Sequence, residues 1–130
     1  MNPGNIIEQI IVLVDFFRKH CRETSTLDEL RRMALDREKW PNAHAKFNDI
    51  RTKTLKVEQA GHAVLTAQYL FEEILAKTLY NLSYSSAPFD ADSPFFIIPN
   101  AIALAKAISP DALAELAVLL GIADSAVRQT

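Results

Sequence analysis

The chain has 130 residues, 49% of them hydrophobic and 23% charged, with a formal net charge of -2. That length supports one hydrophobic core and not two, so a single domain over 1–130 is expected, and the mild acidity argues against a generally basic nucleic-acid binder. The single cysteine, Cys21, excludes an internal disulfide, and no apolar run reaches the ~20 residues of a spanning helix, so a cytoplasmic protein without a membrane partner is expected.

Glycine is scarce, with 3 in the chain, and alternating β-branched runs bounded by turn residues are missing. The predicted fold is all-α: a helical bundle of five to six helices around a central helix at about 62–82. The first helix opens at Asn5 with Glu8 in capping-box spacing, or at Asn2 before Pro3, and ends near Cys21. Ile6, Ile10, Leu13 and Phe17, flanked by Ile7, Ile11 and Val14, give it a wide apolar stripe and make it the expected partner of the central helix. Thr26 and Glu29 repeat the capping-box spacing at the start of a short second helix with a narrow stripe of Leu27, Leu30, Met33 and Ala34. This helix must stop by Trp40, because Pro41 disfavours helix in the residue before it.

A third helix follows Pro41 and Asn42. Its apolar positions Phe47, Ile50, Thr54 and Val57 are sparse, as in a helix that covers a core instead of forming it. Gly61 predicts a break, since glycine costs about 1 kcal/mol inside a helix and favours the position just past its end. The central segment His62 to Leu82 then presents two apolar faces, Ala63, Val64, Ala67, Leu70, Phe71, Ile74, Leu75 and Leu82 on one, Leu65, Tyr69, Ala76 and Tyr80 on the other. Thr66, Glu73 and Lys77 form the polar strip, with Glu73 and Lys77 spaced i, i+4 as a favourable pair. A polar loop follows, and helix resumes at Pro94 or Pro99. Ser109 and Pro110 read as N-cap and first residue of a further helix, which Gly121 closes.

Chemistry-bearing residues are few. His20, His44 and His62 fall on three segments without metal-ligand spacing, so neither a metal nor a cofactor is expected. Arg37 and His44 are interrupted by Trp40 and Pro41, which place both on a turn and not on one catalytic helix face. Glu72 lies between the two apolar faces of the central helix, where burial raises a carboxyl pKa and where Gln68, four residues back, is a ready hydrogen-bond partner. Cys21 follows Arg18, Lys19 and His20 and precedes Arg22, surroundings that lower a thiol pKa. Residues 18–56 hold eleven Lys or Arg against six Asp or Glu, whereas 83–130 hold two against five.

Two segments carry candidate contacts. Phe95, Phe96, Ile97 and Ile98 lie between Pro94 and Pro99 with no polar residue among them, and no single helix or strand face hides all four, so they are the expected interface for another protein or a second copy of this chain. The alternative is a plug that folds back with Phe89 over the end of the bundle. At the C-terminus, Leu113 to Thr130, LAELAVLLGIADSAVRQT, resembles the helix-turn-helix of bacterial DNA-binding proteins. Counting from Leu113, Ala117, Gly121 and Val127 fall at its small, turn-glycine and buried β-branched positions, and Leu116, Leu120 and Ile122 at its apolar ones. The resemblance implies a recognition helix with Ser125, Arg128 and Gln129 facing DNA. A helical pair closing the bundle would use the same small and apolar positions. The sequence thus favours a non-enzymatic, self-associating interaction module, a homodimer, with a DNA-binding regulator as the alternative.

Overall fold

The computed structural model describes residues 3–21, 23–84 and 97–121, and among them the chain is all-α with no strand. The helices are α1 (Pro3–His20), α2 (Ser25–Ala34), α3 (Ala43–Gln59), α4 (Ala63–Tyr84), α5 (Ile97–Ile108) and α6 (Pro110–Leu120), with a turn of 3-10 helix, Arg37–Asn42, between α2 and α3. They form one bundle around α4, which touches α2, α3, α5 and the 3-10 turn.

Local signals set most boundaries. Ser109 is extended, its Oγ accepts the amide N–H of Ala112 at 3.0 Å, and Pro110 starts α6 where a missing N–H costs nothing. Gly61 and Gly121 both have positive φ, 77° and 68°, which ends α3 and α6 in the left-handed conformation that glycine adopts without strain. Pro99 falls in the first turn of α5, where it breaks no intrahelical bond, so Ile97 and Ile98 are helical and not a kinked edge piece.

The second helix departs from expectation. It begins at Ser25, with Thr24 at the N-cap position, and Glu29 pairs with Lys46 of α3 at 2.7 Å instead of closing a capping box with Thr26. It stops at Ala34, six residues before Trp40, because Asp36 opens the 3-10 turn by accepting the Glu38 amide at 3.2 Å. Trp40 is buried there and its indole N–H donates to the Ala34 carbonyl at 3.3 Å, satisfying one of the carbonyls left at the end of α2.

Leu27, Leu30, Met33 and Ala34 are buried as the α2 stripe, and Phe71, Leu75, Leu79 and Leu82 form the inner side of α4. The closest neighbours of α4 are α3 and α5, and α1 reaches it through side chains. Phe17 of α1 and Phe71 of α4 stack with centroids 4.1 Å apart and planes 10° apart, so two rings stand between those helices. On the other side α3 runs antiparallel to α4 from the Gly61 turn, with Thr54 meeting Glu73 and His44 lying 4.8 Å from Tyr80, ring to ring. Buried Ala101 and Ala105 of α5 and Ala112 and Ala117 of α6 let that hairpin close tightly.

Leu70 and Ile74 are only half-buried, so the energetic centre of α4 lies at Leu75 and Leu79, which are fully enclosed. Leu75→Ala or Leu79→Ala is expected to cost about 2 to 5 kcal/mol in urea unfolding, and Leu70→Ala well under that. Ser109→Ala should cost about 1 kcal/mol through the lost cap. A Leu79→Ala loss below roughly half a kcal/mol would show that α4 is not the core helix.

Candidate functional site

The middle of α4 carries Gln68, Glu72 and Glu73 into the interior, and the two adjacent glutamates are handled differently. Glu73 was expected on the solvent strip with Lys77, but it is 5% exposed because α3 lies over it. Its Oε2 accepts from the Thr54 hydroxyl at 2.7 Å and its Oε1 from Arg51 at 3.3 Å, while the Ile50 carbonyl, 3.0 Å from the same hydroxyl, competes for its single proton. Thr54 thus does more than fill an apolar position: it supplies a buried carboxylate with a donor.

Glu72 has neither a hydroxyl nor an arginine among the described residues, and its donor is an amide. Both it and Gln68 are 0% exposed, and the Gln68 amide nitrogen donates to Glu72 Oε2 at 2.9 Å and to the backbone carbonyl of Glu23. The remaining oxygens, Gln68 Oε1 and Glu72 Oε1, are buried without a hydrogen bond. Burial pushes the Glu72 carboxyl up to about 7, opposed by the Gln68 hydrogen bond and by Lys53, and reinforced by Glu23. The Gln68 bond is where the sequence placed it, but Glu72 is fully buried and not at the helix edge.

Cys21, in the link between α1 and α2, belongs to the same neighbourhood. Its thiol is pushed up to about 11 by burial and by Glu72, the reverse of the lowering expected from the adjacent cations. Three of those neighbours are engaged elsewhere: Arg18 pairs with Asp28 at 2.7 Å, while the Lys19 and His20 side chains both reach Glu115 of α6. The His20 and Lys19 hydrogen bonds hold the Glu115 carboxyl below the usual range. The corner at residues 19–23 is thereby strapped to α6 on one side and to α4 on the other.

His20, His44 and His62 stay apart, and among the described residues no three His, Cys, Asp or Glu side chains gather in a way that could hold a metal ion. No described helix is long and apolar enough to cross a membrane. In the apolar run, Ile97 enters the core at 2% exposure, so it is unavailable to an outer patch, and α5 begins at that residue; Phe95 and Phe96 and the side chain of Ile98 lie outside the described residues. Ser125, Arg128 and Gln129 lie outside them too. What sequence reasoning missed is the outer face of α6. Val118 is 78% and Leu119 52% exposed, with Ala114 exposed one turn earlier. The signal was readable, since Leu116 and Ala117 already fill the inner face and Val118 and Leu119 must then point outward.

Compared with protein-family models, with curated proteins and with solved structures, the chain finds no match.

The Glu73 cluster makes a direct prediction. Thr54→Val keeps the shape but strips the buried carboxylate of its close donor, for an expected loss of about 1 to 3 kcal/mol. Adding Glu73→Leu should recover most of it, because an apolar pair leaves nothing unpaired. Chemical denaturation of the three variants checks this, and a double variant no more stable than Thr54→Val alone would contradict it.

Proposed function

We propose that the chain is a non-enzymatic helical interaction module whose first partner is a second copy of itself, joined through the outer face of α6. The carrying observation is that Ala114, Val118 and Leu119 are exposed, around Glu115, on a helix whose Ala112, Leu116 and Ala117 are buried in the core. Covering Val118 and Leu119 would contribute roughly 1.5 to 3 kcal/mol each. A two-fold contact needs a face complementary to itself, and small and aliphatic side chains around a Glu115 carboxylate already bonded to Lys19 and His20 meet that condition. Phe95, Phe96 and Ile98 of the apolar run are the second candidate for the same contact.

A DNA-binding reading rests on Gly121, whose φ of 68° closes α6 at the position of the motif's turn glycine. Against it, five of the eleven basic residues of 18–56 are engaged in ion pairs. Arg18, Arg31, Lys46 and Arg51 face Asp28, Asp15, Glu29 and Glu73, and Lys19 faces Glu115, which leaves those charges poorly placed for phosphates.

Light scattering at rising concentration should give a dimer for the wild type and a monomer for Val118→Asp with Leu119→Asp, with helix content unchanged and a Tm that no longer rises with concentration. Phe96→Ser with Ile98→Ser tests the second candidate. A wild type that stays monomeric at about millimolar concentration would overturn self-association. If instead Arg128→Ala weakens binding to random duplex DNA, and wild-type binding falls steeply with salt, the DNA reading replaces it.

A further inference from the structure

We infer that Glu72 is carried as a neutral carboxylic acid that forms a two-bond pair with the Gln68 amide, and that this proton latches the α1–α2 corner onto α4. The inference rests on the two unpartnered oxygens. Gln68 places its amide nitrogen between Glu72 Oε2 and the Glu23 carbonyl, and the Glu23 carbonyl fixes the orientation of the amide, since a flipped amide would set oxygen against oxygen there. Its own Oε1 and Glu72 Oε1 are then left buried and bare. A single proton on Glu72 Oε1 serves both, being donated to Gln68 Oε1 while the amide N–H donates back to Oε2. The carboxylate form offers no donor, and Gln68 Oε1 goes unsatisfied beside a buried negative charge.

The surroundings favour the neutral form. From the corner, Cys21 and Glu23 act on this place, from α4 itself Tyr69, and from α3 Lys53. Burial together with Glu72 raises the thiol, and burial together with Glu23 and Glu72 raises the Tyr69 phenol, so Lys53 stands against several groups that are neutral or anionic. Glu73, one residue on, has an arginine and a hydroxyl, whereas among the described residues no cation hydrogen-bonds Glu72.

The direction with pH follows. The folded carboxyl titrates near 7 against an ordinary 4.5, so the unfolded chain ionises first as pH rises. The latch is fully closed below the ordinary value, stability declines between the two values, and above the higher one the ionised carboxylate loosens its hold through Gln68 on the Glu23 carbonyl. The corner also holds α6 through Lys19 and His20 on Glu115, so its release reaches that helix as well.

A titration of wild-type protein carrying carbon-13-labelled glutamate, read at the side-chain carboxyl, should show Glu72 changing near neutrality, well above the other glutamates. Hydrogen exchange at Cys21, Glu23 and Thr24, corrected for the intrinsic rate, should lose about tenfold protection between about pH 5 and about pH 9. In Glu72→Gln, which keeps an amide partner and cannot ionise, that protection should stay flat. A Glu72 carboxyl titrating with the exposed glutamates overturns the neutral acid, whether or not the variant folds. A corner whose protection falls equally in wild type and Glu72→Gln overturns the latch.

Discussion

A helix enclosed by its neighbours must have its polar side chains answered inside the protein, and α4 carries Gln68, Glu72 and Glu73 into such an enclosure. The packing of the other helices can be read as the set of answers. α3 approaches closely enough for Thr54 and Arg51 to serve Glu73. The link after α1 brings the Glu23 carbonyl within reach of the Gln68 amide. Had α4 been apolar at these three places, α3 and the corner could have settled in several registers against it. Polar partners at fixed heights remove that freedom, because a slip by one turn would strand a buried charge.

The basic excess of residues 18–56 has a structural use of the same kind. Arg18 and Arg31 cross-link α1 and α2 through Asp28 and Asp15, Lys46 links α3 to Glu29 of α2, and Lys19 with His20 fastens α1 to Glu115 of α6. Most of these pairs are half-exposed, where each contributes little to stability. Their effect is on arrangement: the cations of α1 find acids on both neighbours, and α1 is held across the edge of the bundle while the Phe17–Phe71 stack sets its distance from α4.

Most boundaries that depended on near neighbours in the chain were legible in the sequence, the Thr26–Glu29 capping box being the exception. Gly61, Ser109 with Pro110, and Gly121 act within one turn, and each marks a boundary where it was read. Glu72 was legible because its position between two apolar faces, and its spacing from Gln68, follow from helix geometry alone. Glu73 was not, since its i, i+4 spacing to Lys77 describes a solvated strip equally well, and only the approach of α3 turns that strip inward. Cys21 failed for a related reason: adjacent cations in sequence point to distant acids in space, while the thiol is raised first by burial and then by Glu72, 51 residues further along the chain.

The outer face of α6 is where these internal requirements end. Glu115, on the side toward α1, is committed to Lys19 and His20, and Leu116 and Ala117 are committed to the core. The positions left over, Ala114, Val118 and Leu119, meet no requirement of the described fold, and neutral, well-solvated side chains there would cost the bundle nothing. Aliphatic residues in water are unfavourable by the area they expose. They stand on a helix that Lys19 and His20 join to α1 through Glu115, so any gain from covering them must come from a contact outside the described bundle.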